Sequence, residues 1–290
     1  MLCQPPDPHP RPPKLKCPPG TVDCHVHVYG PNDQYPVSQE RMFDVPEALP
    51  RTLAEVHDVL GVDRVVLVQP SGYGVDNRRQ LEAMSELGRP ARAVVSLYAD
   101  VTEDELIRLH GLGVRGVRYA AGHHRGPPIT EMPKLAARIA KFGWHVQLHV
   151  FSHEGESPLP ELESVFAALP VDIVIDHIGS IDPASGIAQP GFTVLRRMVE
   201  AGKCWVKLSC GYRISAELPP YTDLIPYVSA LTAVRPDRLV WASDWPHVFF
   251  KGKMPNTTDL LDQMLTWVPD EEVRRKIFVD NPAILYDFST

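Results

Sequence analysis

The sequence predicts an α/β protein, a (β/α)8 barrel of the TIM type, and three observations carry that expectation. From Thr21 onward, short runs rich in Val, Ile and Leu alternate with amphipathic stretches. Eight apolar runs are present, each followed by a helical pattern. The chain has 290 residues, enough for one such barrel, and no stretch reads as an interdomain linker. An open doubly wound sheet is the alternative. It would place a Gly-rich phosphate loop after the first strand, and none is there.

The elements follow in order. Residues 1–19 precede the alternation, and they hold eight of the 30 prolines. Proline cannot continue a helix or fill a central strand, so this segment reads as an extended arm, lying on the surface or partly disordered. Residues 20–290 read as the barrel. Strands are expected at 21–28 (TVDCHVHV), 63–69, 91–97, 114–119, 145–150, 171–177, 204–209 and 238–243. Helices are expected at 50–60, 76–87, 102–110, 131–142, 159–168, 192–201, 221–234 and 258–286, the last broken at Pro269 and Pro282. Gly61, Gly88, Gly143 and Gly202 follow helix ends, where a left-handed cap suits glycine.

Composition narrows the function classes. Hydrophobic residues make up 44% and charged residues 22%, which excludes global disorder and coiled coil. The net charge of -7 argues against nucleic acid as a partner, while leaving room for a small anionic substrate that responds to local charge. No apolar run reaches membrane-spanning length, so no membrane partner is expected. The five cysteines are scattered and form no CxxC, which points to a reduced, cytoplasmic setting. Monomer and homo-oligomer are both compatible with the sequence.

Barrel active sites form at the C-terminal ends of the strands, so position adds weight to residue type. The first strand ends in His25-Val26-His27. Period-two alternation puts both imidazoles on the interior face, with Asp23 before them on that face and Cys24 turned away. His149 ends the fifth strand and Asp176-His177 the sixth, and Asp244 follows the eighth. Four imidazoles and one carboxylate thus converge on one mouth, and these are ligand types for Zn²⁺ and related divalent ions. Arg118 ends the fourth strand and Arg213 follows the seventh, offering planar forks suited to carboxylates. Ser71 and Tyr73 follow the second strand, and His123, His124 and Arg125 follow the fourth. His57 and His110 lie in helical patterns and are expected on the surface. His145 begins the fifth strand, away from the mouth, and His153 and His247 lie near it.

These residues carry a resemblance. The chain resembles the amidohydrolase superfamily over nearly all of 18–287, and it is most similar to the branch of 2-pyrone-4,6-dicarboxylate lactonases. The stretches that carry it are PPGTVDCHVHVYGP, VQPSGYGVDN, GVRGVRY, GWHVQLH, IVIDHIG, WVKLS and ASDWPH. Sulfomuconolactone hydrolases and galactarolactone isomerases look like relatives in the same branch. The resemblance implies a hydrolase that opens a small carboxylated lactone. Arg118, Arg213 and Ser71 match residues that line the lactonase site, and Tyr73, His124 and Arg125 are the other candidates for substrate contact.

Two departures bear on the chemistry. The dicarboxylate lactonases work without a metal and carry tyrosine where this chain has His149. A single Zn²⁺ or Mn²⁺ held by His25, His27, His149 and Asp244 is therefore expected alongside metal-free catalysis as an equal alternative. The position matching a further carboxylate-binding Arg reads His124, with Arg125 beside it. In either version Asp244 takes the proton of the attacking water, and His177 with the His25–His27 pair polarises the carbonyl. The competing functions are a sugar-acid lactone isomerase, a metal-dependent decarboxylase and a non-catalytic binding protein.

Overall fold

Eight strands pair in parallel and in sequence order around one sheet. They are β1 (Val22–Val26), β2 (Arg64–Val68), β3 (Ala91–Val95), β4 (Val114–Ala121), β5 (His145–Val150), β6 (Ile173–Ile175), β7 (Cys204–Leu208) and β8 (Leu239–Trp241). The first and last strands meet: Val26 bridges Trp245 in parallel, and the His27 N–H donates to the Trp245 carbonyl at 2.8 Å. A (β/α)8 barrel results. The computed structural model describes residues 3–39, 41, 44–121, 126–152, 156–250 and 252–289.

The helices pack outside the sheet. They are α1 (Pro50–Leu60), α2 (Arg78–Glu86), α3 (Glu103–Gly111), α4 (Met132–Ile139), α5 (Leu159–Ala167) and α6 (Pro190–Glu200). A short α7 (Gly211–Ile214) precedes α8 (Ile225–Val234), and α9 (Thr257–Asp262), α10 (Met264–Trp267), α11 (Glu271–Arg275) and α12 (Asn281–Tyr286) close the chain. α1 illustrates the local logic. Proline opens it, where its missing N–H costs nothing, and Gly61 ends it at φ +75°. Leu53, Val56, His57 and Leu60 form its buried stripe, at the i, i+3, i+4, i+7 spacing of one helix face. Each such aliphatic side chain contributes about 1.5–3 kcal/mol on burial. The C-terminal helices break after Trp267, before Pro269. Pro282, however, opens α12 directly after a π-helical turn over 276–280, instead of interrupting the chain.

The arm is ordered over its described residues. Cys3 and Leu15 are buried, and the Lys14 and Leu15 N–H groups donate to Asp262 of α9 at 2.9 Å. Arg11 pairs with Asp259, and its carbonyl accepts from Thr258. The missing proline N–H groups are thus replaced by side-chain contacts spread along one helix.

The barrel interior has three levels. Val22, Cys24, Val66, Val68, Val94, Val174, Trp205 and Val240 form an apolar floor with Tyr286. Gln147, Asp176 and Lys207 occupy the middle, all fully buried. The candidate site residues stand at the strands' C-terminal ends. β1 departs from strict alternation: its register slips between Asp23 and Val26. Cys24 therefore packs inward like His25, while Asp23 turns outward to His57 of α1, 3.2 Å away. The expected inward Asp23 and surface His57 are corrected by this bulge. The Asp23 carboxylate also accepts from the Ser243 N–H at 2.9 Å, tying β1 to the segment after β8.

His145 sits at the floor, where Gly116 leaves room for it: a Cβ there would lie 2.5 Å from Nε2. Among the described residues neither ring nitrogen has a hydrogen-bond partner. Burial, then Lys207, pushes its pKa down to about 3, and burial pushes that of His247 down to about 4. Both titrate near 6.5 when unfolded. Below that pH the unfolded chain takes up protons that the folded chain refuses. Stability is therefore expected to fall from pH 6.5 to 4 by about 1.4 kcal/mol per pH unit for each histidine. Urea unfolding across that range checks this, and a flat profile contradicts it.

Candidate active site

The site is built where backbone geometry stops the strands. His177, Cys210 and Asp244 have φ of +55°, +60° and +59°, in the left-handed region that non-glycine residues avoid. Each costs roughly 1–2 kcal/mol. This explains why β6 and β8 end at Ile175 and Trp241, short of the expected 177 and 243. Strained backbone of this kind concentrates at functional positions.

Asp244 is the centre. Its Oδ2 accepts from the Tyr212 hydroxyl at 2.7 Å and the Cys210 thiol at 2.8 Å, with Arg213 at 3.6 Å. Its Oδ1 faces three imidazoles: His25 Nε2 at 3.6 Å, His177 Nε2 at 3.7 Å and His27 Nε2 at 3.9 Å. These gaps are too long for direct hydrogen bonds and leave space for one small species. Burial pushes the Asp244 carboxyl up, but His177, Arg213, His25 and His27 outweigh it and hold the group well below the carboxylate range. It is an anion at neutral pH. Burial holds His27 and His177 well below the usual imidazole range, so both are neutral there.

Hydrogen bonds fix the tautomers. His27 Nδ1 lies 2.7 Å from the Val68 carbonyl, which can only accept, so Nε2 carries the lone pair. That lone pair faces His25 Nε2 at 3.2 Å. A positive centre must lie between two ring nitrogens this close. One solution is a proton on His25 Nε2, with Lys207 donating to His25 Nδ1 at 3.2 Å. The other is a cation, with His25 Nδ1–H donating to Asp176 at 3.2 Å. His25, His27 and Asp244, whose ligand atoms lie 3.2, 3.6 and 3.9 Å apart, therefore fit a divalent ion by donor chemistry and convergence.

His149 does not join that set as expected. Its Nδ1 accepts from Arg118 Nη2 at 3.1 Å, and its ring stacks on Phe151 at 4.1 Å. The second convergent group, His149, Asp176 and His177, has no open lone pair on its carboxylate. Asp176 is already met by His25, Lys207, Gln147 and Arg118.

The cavity at the mouth is lined by His27, Tyr29, Ser71, Arg118, His149, His177, Arg213 and Asp244, with Phe151, Val248 and Phe249 as apolar wall. His25 lies behind His27, out of the lining. Arg118 enters differently from expectation. Its Nε and Nη2 both reach Asp176 Oδ2, at 3.4 and 3.2 Å, and Nη1 donates to the Gln69 carbonyl at 3.0 Å. The fork is spent on Asp176 and His149, and among the described residues a single Nη1–H remains without a partner. Tyr73 is not in the lining: its hydroxyl accepts from the Gly30 N–H at 2.9 Å and its ring packs on Tyr29. His123, His124, Arg125 and His153 lie outside the described residues.

Lys207, Gln147 and the Asp244 partner Tyr212 are site residues that the sequence reading passed over. One signal was available for Lys207. A lysine inside the apolar strand CWVKLS shares the inward face with Ser209, whose hydroxyl lies 2.8 Å from His177 Nδ1.

A family model described as Amidohydrolase matches residues 22–288. A 2-pyrone-4,6-dicarboxylate hydrolase of Comamonas testosteroni is 36% identical, over 96% of this chain and 93% of its own length. A 4-sulfomuconolactone hydrolase of Hydrogenophaga intermedia is 35% identical, over 98% of this chain and 94% of its own. Among solved structures, a probable 2-pyrone-4,6-dicarboxylic acid hydrolase of Acinetobacter baumannii with citric acid bound superposes with a TM-score of 0.80 at 25% identity. It covers 93% of this chain and all of its own (100%). Among the described residues no helix is long and apolar enough to cross a membrane.

Proposed function

The chain belongs to the amidohydrolase family, and from that premise we propose that it is a lactonase that hydrolyses a small cyclic ester carrying an anionic substituent. The observation that carries this reading is Asp244 Oδ1, facing three imidazoles inside a cavity that Arg118 and Arg213 also line. Arg118, Lys207 and Arg213 are cations, and Asp176 and Asp244 are anions. Among the described residues, one positive charge is left for an anionic ligand. The named relatives, a 2-pyrone-4,6-dicarboxylate hydrolase and a 4-sulfomuconolactone hydrolase, support a substrate of that type.

The roles follow from donor and acceptor logic. Asp244 Oδ1 accepts a hydrogen bond from the attacking water and takes its proton. Ser209 donates to His177 Nδ1, which leaves the Nε2 proton to stabilise the oxygen of the tetrahedral intermediate. When the ring C–O bond breaks, protonated Asp244 returns its proton to the leaving oxygen. Arg118 Nη1–H, Arg213 and Ser71 hold the anionic substituent and set the angle of attack. A divalent ion held by His25, His27 and Asp244 would polarise the carbonyl and lower the pKa of the water.

The test is a panel of carboxylated and neutral lactones, read by ring opening and by ¹⁸O incorporation from labelled water. Carboxylated lactones are expected to be the better substrates. Arg118→Met is expected to raise KM for them by about tenfold or more, since a hydrogen bond to a charged group is worth about 1.5–3 kcal/mol. A preference for neutral lactones removes the anion site from the reading. Turnover without solvent oxygen in the product points instead to an isomerase.

A further inference from the structure

The peptide joining Val248 to Phe249, in the segment after β8, is held from both sides. Its carbonyl accepts from Arg213 Nη1 at 3.3 Å. Its N–H donates at 3.3 Å to the Sγ of Cys3, in the N-terminal arm. A trans peptide points its C=O and N–H in opposite directions, so Arg213 and Cys3 grip one plane by its two edges. That plane sits in a strained setting. Phe249 has φ +59°, in the left-handed region that a bulky residue avoids. Turning the plane over would return Phe249 to negative φ and would point the carbonyl away from Arg213. The two hydrogen bonds oppose that turn.

Cys3 is itself firmly placed. It is buried in a cluster with Tyr29, Val45, Ala48, Trp245 and Val248, and its N–H donates to the Asp44 carbonyl at 2.8 Å. Further along the arm, Asn256 Nδ2 donates to the Asp7 carboxylate at 2.8 Å and to the His9 carbonyl at 3.0 Å. The arm is thereby fastened to the stretch before α9. Tyr29, Val248 and Phe249 line the cavity together with Arg213, so the arm backs one wall of the site.

We propose that Cys3 is a positioning residue for substrate binding: its sulfur fixes the peptide between Val248 and Phe249, and the carbonyl of that peptide aims the Arg213 guanidinium into the cavity. The assignment rests on the reading of Arg213 as a holder of the substrate's anionic substituent. The other Arg213 contacts are on Nη2, which lies 3.2 Å from Cys210 Sγ and 3.6 Å from Asp244 Oδ2. With Nη1 on the Val248 carbonyl and Nη2 on that side, the planar fork cannot rotate. Without the carbonyl it pivots about Nη2 alone, and a bidentate grip on a carboxylate loses its geometry. Sulfur is a weak acceptor, so the effect of Cys3 is that of one modest hydrogen bond passed on through one peptide.

Cys3→Ala and Cys3→Ser, made in the full chain, test this. Alanine removes the acceptor, and serine keeps one. In Cys3→Ala, KM for carboxylated lactones is expected to rise about fivefold, the equivalent of one neutral hydrogen bond, with kcat within about twofold of wild type. Cys3→Ser is expected to stay within about twofold in both constants, again judged against one hydrogen bond. A crystal structure of Cys3→Ala is expected to show Phe249 at negative φ and the Val248 carbonyl turned from Arg213. An unchanged KM, an equal rise in Cys3→Ser, or a Phe249 that keeps its positive φ in Cys3→Ala overturns the proposal. If the wild type opens no carboxylated lactone, the substrate reading fails, and the Cys3→Ala structure still decides whether Cys3 sets the peptide that Arg213 grips.

Discussion

Asp244→Asn is expected to lower kcat by about 10²–10⁴-fold, the usual contribution of a positioned general base, with the melting temperature unchanged. The structure explains both halves of this result. Oδ2 sits between two donors, the Tyr212 hydroxyl and the Cys210 thiol, so an asparagine would turn its carbonyl oxygen to that side. Its amide then faces His25 and His27, where it offers protons and accepts none. The fold loses no hydrogen bond, while the water loses its base. Single-turnover ring opening of a carboxylated lactone, beside a thermal melt, checks this. A variant keeping more than a tenth of the wild-type rate would remove Asp244 from the role of base.

Much of the fold was legible because the barrel repeats one simple signal. The runs 63–69 and 91–97 read as buried strands from composition alone, and β2 and β3 fall inside them. The mouth was legible for a related reason, since strand ends carry the chemistry in this architecture. What escaped was geometry that no periodicity encodes. The bulge in β1 places Cys24 and His25 on one side and sends Asp23 to His57, against the strict period of two. The positive φ of His177 and Asp244 ends two strands early. His57 read as surface because a histidine in an amphipathic helix usually is, and its partner lies 34 residues away. The Arg118 fork read as free because its partner, Asp176, comes from a different strand.

The middle of the barrel carries the second large effect. Asp176 is fully buried and meets Lys207 at 3.4 Å, Arg118 at 3.2 Å, Gln147 at 3.1 Å and His25 at 3.2 Å. Burial pushes its carboxyl up, but His25, Lys207 and Arg118 hold it well below the usual range. Asp176→Asn would leave the Lys207 ammonium in the barrel core without a counterion. The expected cost is about 3–5 kcal/mol, the penalty for breaking a buried pair from one side. Lys207→Met should cost less, because Arg118 still neutralises Asp176. The double variant removes both charges and is expected to be more stable than the sum of the single effects by about 0.5–3 kcal/mol. Urea unfolding of the four proteins measures this coupling. Additivity within about 0.5 kcal/mol would mean that the two charges do not act as a pair. Coupling, with kcat reduced in Lys207→Met, would mean that the ion pair beneath the site also holds His25 in place. The catalytic level would then depend on a polar network one level down, which replaces part of the apolar core such barrels usually carry.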